Sequence, residues 1–504
     1  GHSWRGHSDT EIMLAAFCQW GVVEATKRFN GMFAFAVWDK QERVLHLGRD
    51  RLGEKPLYYL YENGLFAFSS DIRSFYTLNI NLSINRFALA NYFAELCTPA
   101  EHSIWTEVKK LLPAHYGKLD KINGLKTDCY WQLNYKNKLS VSESEIVENC
   151  ETLIENSVKN KLVADVPVGC FLSGGIDSGL TTAIASTFNS KLKTFTVSFA
   201  GEYDEAPLAK LVADKYKTDH TEIRISFDNL RNDVENILCN YGEPFFDSSA
   251  IPSFYVSKEA RKHVTVILNG DGADELFGGY RRYVPFSKYD FFTGNALVKT
   301  PAALLKKLMP VSADKKSTYN FLYRLVSLAS KSNLEIYLSA GLDIIEDYER
   351  YIIQPSFDYL EQMRADFNNI AQAPLSGLKK IMNMDFDTNL FSDLLVKMDI
   401  ATMANSLEGR SPFLCKELLE YAPGLPDSLK VNGSTTKYLL RNLAKKYLPE
   451  TLIHQPKRGF EIPLKSWVDN QLQDMIRDYI TSSSALNRNF VQYAFTEKLL
   501  NKKI

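Results

Sequence analysis

With 504 residues, 45% of them hydrophobic and 12% aromatic, the chain has the apolar mass for two or three cored domains, which excludes a disordered or low-complexity protein. Its 59 Lys and Arg against 60 Asp and Glu give no electrostatic reason to expect a nucleic acid or a membrane surface as partner. The scattered cysteines (Cys18, Cys97, Cys129, Cys150, Cys170, Cys239, Cys415) form no C-x-x-C pair, which argues against zinc or a disulfide scaffold and for a reducing, cytoplasmic setting, and no apolar run reaches the roughly twenty residues of a membrane span.

Dense patterning begins at Gly1, so a true N-terminal segment is expected upstream. Ser8-Asp9-Thr10-Glu11 has the form of a capping box and predicts a helix to about Trp20, closed by Gly21. Period-two alternation over Met32–Trp38, Arg43–Gly48, Leu57–Tyr61 and Leu65–Ser69 predicts strands, the last two joined by an Asn63-Gly64 hairpin turn. This layer is antiparallel. Ser83 is the expected N-cap of a helix to about Leu96, and Tyr130-Trp131 closes a strand pair. Polar, unpatterned Asn134–Ser142 marks the domain boundary.

Beyond it come helix Glu143–Lys159, strand Val166–Leu172, helix Ser178–Ser186, strand Thr194–Phe199, helix Glu205–Lys215, helix Ile251–Arg261 and strand Val264–Leu268. That alternation predicts a parallel, doubly wound sheet. From about Val284 onward the pattern is almost wholly helical.

Two loops carry the chemistry: Ser173-Gly174-Gly175-Ile176-Asp177-Ser178 and Gly270-Asp271-Gly272-Ala273-Asp274-Glu275. Each follows an apolar run and is expected at the carboxyl end of a strand, where open parallel sheets bind ligands. Gly174 and Gly175 permit tight or left-handed backbone, so that successive amides converge on phosphate oxygens at a helix start, with the Ser173 and Ser178 hydroxyls adding donors. The G-K-[ST] ending of a Walker A loop is absent. Asp177 among phosphates calls for a cation, for which magnesium is the natural choice, and Asp274 is the expected second ligand. Glu275 could equally cap the next helix. The pair of loops points to ATP chemistry.

Five ordered motifs then give a resemblance: F-L-S-G-G-I-D-S (Phe171–Ser178), G-D-G-A-D-E-L-F-G-G-Y (Gly270–Tyr280), L-E-G-R-S-P-F-L (Leu407–Leu414), K-Y-L-L-R (Lys437–Arg441) and P-K-R-G-F-E-I-P-L (Pro456–Leu464). Together they resemble the bacterial-type glutamine-hydrolysing asparagine synthetases. G-H-S-D-T-E, F-N-G-M-F-A-F-A-V-W-D and G-R-D-R-L-G-E-K-P-L-Y-Y resemble the second half of that family's N-terminal-nucleophile glutaminase.

The resemblance implies an α+β remnant over residues 1–133, a partial glutamine amidotransferase type 2 domain without its nucleophile half. It implies an α/β asparagine synthetase (ATP pyrophosphatase) domain over 140–504, with a helical C-terminal part. The implied reaction joins aspartate to ATP as a β-aspartyl-adenylate, releases pyrophosphate, and lets ammonia displace AMP. By position, Phe171, Leu172, Val197, Asn269 and Gly270 would receive adenosine, while Ser173, Gly174, Gly175, Asp177 and Ser178 would grip pyrophosphate. Asp177 and Asp274 would bind magnesium. Asp271 would serve intermediate formation and the incoming ammonia, and Lys437, in the first turn of a helix, would neutralise the departing pyrophosphate. Asp9 would hold the amino group of glutamine. No cysteine stands at the start to act as nucleophile, so free ammonia is the expected nitrogen donor for this chain.

Cys415, Gly409, Ile400 and Asn269 depart from the family pattern, where aspartate, valine or alanine, a basic residue and serine are usual. They bear on the acceptor more than on ATP. Alternatives are a β-lactam-forming synthetase, an amidating enzyme of surface-polysaccharide synthesis, a tRNA- or nucleotide-modifying relative, and a non-catalytic scaffold. The expected partners are small molecules, with no nucleic acid and no membrane; a homodimer stays open.

Overall fold

The computed structural model describes residues 3–198, 204–225, 230–288, 296–310, 318–331, 336–337, 367–455, 464–482, 485 and 489–501. α1 (Asp9–Trp20) starts where its cap predicts: Ser8 Oγ accepts the Thr10 amide at 3.2 Å, and Gly21, at φ 75°, ends it. Glu11 departs from the capping box. It reaches past Ser8 to accept the amides of Arg5 and Gly6 at 2.8 and 2.7 Å. α2 (Val22–Arg28) follows.

Seven strands come next: β1 (Ala34–Asp39), β2 (Val44–Arg49), β3 (Tyr58–Glu62), β4 (Leu65–Ser69), β5 (Val108–Lys110), β6 (His115–Asp120) and β7 (Gly124–Cys129). They form two antiparallel sheets, ordered β1-β2-β6-β7 and β4-β3-β5. The β3–β4 turn has both Asn63 and Gly64 at positive φ, 51° and 77°, as a type I′ hairpin requires. One detail differs from expectation. α3 (Arg86–Glu95) is capped by Asn85, whose side chain accepts the Ala88 amide at 3.1 Å, because Ser83 is bonded to Glu107 instead. The closing strand pair is β6–β7, which ends at Cys129, just before Tyr130 and Trp131.

The second half alternates α4 (Glu143–Lys161), β8 (Val168–Phe171), α5 (Ile176–Phe188), β9 (Lys193–Ser198), α6 (Ala206–Tyr216), β10 (Asp219–Arg224), α7 (Leu230–Tyr241), α8 (Ala250–Ala260), β11 (Val266–Leu268) and α9 (Ala273–Phe277). With β12 (Glu408–Arg410) these strands form one parallel sheet ordered β10-β9-β8-β11-β12. The chain runs outward from β8 to β9 and β10, then returns to place β11 on the other side of β8. The crevice beyond the carboxyl ends of β8 and β11 is therefore the topological switch point. Leu268 pairs with Cys170, which sets the two glycine-rich loops side by side.

Both faces of this sheet are covered. Ile154, Cys170, Leu180, Leu268 and Phe277 pack on one core, and Phe195, Ile237, Val256 and Ile267 on another. The later residues are mainly helical, with a π-helical stretch at Phe386–Leu394 and a short hairpin of β13 (Val431–Asn432) and β14 (Thr435–Thr436). No helix among the described residues is long and apolar enough to cross a membrane.

Lys430 is fully buried (0% exposed), its Nζ 3.5 Å from the Pro423 carbonyl and 5.2 Å from the Tyr135 ring centroid. Burial, aided by nearby Lys379, lowers its pKa from 10.5 to about 7. Between those values the unfolded chain holds a proton that the folded chain does not, so stability from this group rises with pH and is least below about 7. Lys430→Met, which keeps the apolar stem, is expected to stabilise the fold by on the order of 3 kcal/mol below neutral pH. It is also expected to flatten the rise in denaturant midpoint on the alkaline side. An unchanged pH profile would contradict this.

Candidate nucleotide site at the switch point

The first loop is built by its own hydroxyls. Ser178 Oγ accepts the Ser173 amide at 3.1 Å and lies 2.9 Å from Ser173 Oγ, which accepts the Gly175 amide at 3.1 Å. Both serines sit at the head of α5, where backbone donors face outward. The Gly174 amide donates to the Glu205 carboxylate at 3.3 Å, so this loop already draws an anion. Neither Gly174 nor Gly175 is left-handed. Their requirement is space: a Cβ on Gly174 would stand 3.0 Å from Leu208, and one on Gly175 3.1 Å from Ser173 Oγ. The left-handed position is Gly272, at φ 84°, where a Cβ would come within 2.1 Å of Leu414.

Across the crevice, Lys437 joins the loops. Its Nζ lies 2.5 Å from Asp177 Oδ2 and 2.7 Å from Asp274 Oδ1, and the lysine is only 4% exposed. Lys437 is not within the first turn of the helix Tyr438–Tyr447; it is the N-cap, held in left-handed backbone at φ 52°. Its amide donates to the Gly278 carbonyl at 3.1 Å. A left-handed lysine carries strain of about 1–3 kcal/mol, which persists where surrounding contacts over-determine it. Gly279 makes the approach possible, because a Cβ there would lie 1.8 Å from Asp274 Oδ1 and 2.3 Å from Lys437 Cε.

The other candidates divide into those near the crevice and one far from it. Asn269 Oδ1 accepts the Asp271 amide at 3.3 Å and the Ser411 hydroxyl at 2.6 Å, fixing the strand-to-loop exit. Gly270 allows close packing: a Cβ would meet Asp177 Cβ at 3.0 Å. Phe171 pairs with Phe195 in neighbouring β9, which also carries buried Val197, and the Leu172 amide donates to the Phe195 carbonyl at 2.8 Å. Asp271 acts through space on Lys397, which is paired with Asp247 at 2.7 Å. Glu275 lies in the first turn of α9, where its carboxylate also accepts its own amide. It is 1% exposed, accepts the Tyr280 hydroxyl, and has its pKa raised to about 7 by burial and then by Asp274. Asp9 stays exposed in the first turn of α1, and no hydrogen bond or ion pair of the described residues links it to the loops. The motif at Pro456–Leu464 falls outside the described residues except for Leu464.

One ammonium between two carboxylates leaves the locus net negative. Asp177 Oδ1 is buried and accepts no hydrogen bond among the described residues. That orphaned oxygen fits a small hard cation. Magnesium takes one or two carboxylates and completes its shell with water and phosphates, and Asp177 with Asp274 supplies that number.

Residues 149–504 match the asparagine synthase family model, and residues 1–131 match a glutamine amidotransferase domain model. The chain belongs to the asparagine synthase family. It is 33% identical over 496 residues to asparagine synthetase (glutamine-hydrolyzing) 1 of Bacillus subtilis, covering 96% of this chain and 76% of that protein. A putative asparagine synthetase (glutamine-hydrolyzing) of Mycobacterium tuberculosis is 32% identical over 472 residues, 91% and 71% of the two chains. At greater distance, amidase chyE of Penicillium rubens is 24% identical over 545 residues, 99% and 79%. This asparagine synthase family member is thus an ATP-using carbon–nitrogen ligase.

Of the synthetase's departures from the family pattern, Gly409 has no steric cause: a Cβ there would meet Thr402 at an ordinary 3.5 Å. Sequence reasoning gave no site role to Gly279, which lies inside the Gly270–Tyr280 motif, or to Glu205. Gly279 stands only as a motif member and Glu205 only as a helix start, so nothing in spacing marks either as part of the site.

Proposed function

We propose that this ligase converts aspartate to asparagine through a β-aspartyl-adenylate, with residues 1–133 forming the glutamine amidotransferase domain and 140–504 the synthetase domain. The supporting observation is the Lys437 ammonium seated between Asp177 and Asp274 at the tips of adjacent parallel strands. Phosphates placed over this locus meet the Ser173–Ser178 loop at the head of α5, whose dipole favours negative charge. Phe171, Leu172, Val197, Asn269 and Gly270 line the approach for the adenosine end.

Asp177 and Asp274 would hold magnesium, which when bound screens the triphosphate charge from the attacking carboxylate. The aspartate side-chain oxygen attacks the α-phosphorus, the bond to the β-phosphate oxygen breaks, and pyrophosphate leaves. Lys437 offsets the charge that builds on that leaving group, a contribution realised as the bond breaks. Asp271 stands beside the crevice to orient the incoming ammonia, which attacks the acyl carbon and expels AMP. Asp9 is assigned to the glutamine site of the first domain, and free ammonia serves the synthetase domain directly.

The test is product analysis with aspartate whose side-chain carboxylate carries heavy oxygen. Adenylation transfers one labelled oxygen to AMP, and AMP, pyrophosphate and asparagine appear in equal amounts. ADP and orthophosphate as products, or unlabelled AMP, would overturn the reading.

A further inference from the structure

A second feature is walled in part by Thr436 and Tyr438, the residues on either side of Lys437 in sequence. A cavity of about 460 Å³ is lined by Arg281, Arg441, Lys445 and His454, with the Ser434 and Thr435 hydroxyls. That size is in the range of small-molecule sites. Among the described residues no carboxylate lines it and no ion pair involves Arg281, Arg441 or Lys445. Among the described residues Arg441 is held by main-chain carbonyls, those of Thr436 at 2.8 Å, Gln455 at 3.2 Å and Ile453. Lys445 is anchored by Asn442 Oδ1 at 3.0 Å. His454 faces Glu450 at 3.7 Å, and the remaining cations brought together around a void favour an anion there.

The position narrows the anion. Thr436 and Tyr438, the neighbours of Lys437 in sequence, both line the cavity. Arg281 follows directly on the Gly278-Gly279-Tyr280 turn that leaves the Asp274 helix. Arg441 feels the charges of both Asp177 and Asp274. The cavity is therefore walled by residues close in sequence to Asp274 and Lys437, including those on both sides of Lys437. We propose that it is a vestibule for pyrophosphate leaving that locus, with Arg441 at its base and Arg281 and Lys445 at its rim. This rests on the proposed cleavage of ATP to AMP and pyrophosphate. The exposed rim cations attract the dianionic or trianionic product, and exchange of its contacts from Lys437 to Arg441 would carry it outward.

The test uses the full chain and the double variant Arg281→Gln/Lys445→Gln, whose exposed side chains make no ion pair, with thermal melting to establish an intact fold. In aspartate-dependent ATP–pyrophosphate exchange, the variant is expected to raise the KM for pyrophosphate about tenfold and leave the KM for ATP unchanged. Calorimetric titration with sodium pyrophosphate alone is expected to show weaker binding by the same factor. An unchanged KM for pyrophosphate in an exchanging enzyme overturns the vestibule. Weakened calorimetric binding with unchanged exchange kinetics also overturns it, because the cavity would then bind an effector drawn from solution. Absence of exchange in the parent chain would instead strike at the proposed reaction, and the calorimetric comparison would still decide whether the cavity holds pyrophosphate.

Discussion

Lys437→Ala is expected to lower aspartate-dependent ATP–pyrophosphate exchange by about a hundred- to a thousandfold, the usual loss when one preorganised charge is removed from a developing anion. The lysine is buried, and its ammonium is shared between Asp177 and Asp274 at 2.5 and 2.7 Å. Alanine removes charge stabilisation from the leaving group and also leaves two buried carboxylates facing each other. Breaking a buried pair by deleting one partner costs about 3–5 kcal/mol, so the variant's melting temperature should fall in chelator. Magnesium should restore most of that loss, since a divalent ion replaces the missing positive charge, while exchange stays low. Lys437→Arg is not expected to rescue, because a planar fork cannot place one compact charge between two carboxylates from a left-handed N-cap. Exchange near the parental rate in Lys437→Ala would defeat its assignment, and a melting temperature indifferent to magnesium would defeat the metal assignment.

Gly279→Ala is the second large effect. The added methyl would sit 1.8 Å from Asp274 Oδ1 and 2.3 Å from Lys437 Cε, so the carboxylate, the lysine or the loop must move. Overpacking of this kind costs about 1–3 kcal/mol, which this fold can absorb. The catalytic loss should be larger, since a displacement of about 1 Å at reacting groups can reduce rate about a hundredfold. Gly409→Ala is the matched control. Its methyl meets Thr402 at 3.5 Å, so exchange and melting temperature should both stay near parental. Steady-state exchange and thermal melts on the two variants check the contrast; equal behaviour would contradict the packing argument.

Much of the architecture was readable because local rules and the global fold agree. The runs ending at Phe171 and Leu268 are apolar, and each is followed by glycine and a carboxylate, so strand ends and loops could be placed together. The parallel sheet followed from the alternation of elements, and the Asn63-Gly64 hairpin from turn chemistry. β10 and β12 were not legible. β10 is the half-exposed edge sequence D-H-T-E-I-R, and β12 is only Glu408–Arg410, formed because Val266–Leu268 offers it a paired edge.

The site was legible as residue types, less so as geometry. Asp177, Asp274 and Lys437 could be named from motifs, but the meeting of Lys437 with both acids spans 260 residues to Asp177 and depends on a left-handed backbone that no propensity favours for lysine. Gly174 and Gly175 were expected for conformational freedom and serve instead by lacking a side chain. Glu275 resembled a helix cap locally, yet tertiary burial and the Tyr280 hydroxyl turn it inward.

The most direct test of the shared cation locus is the magnesium dependence of ATP–pyrophosphate exchange in Asp177→Asn and Asp274→Asn. Both variants are expected to lose exchange at least about a hundredfold, with half-saturation shifted to higher magnesium in each. Parental exchange at parental magnesium in either variant would contradict the account.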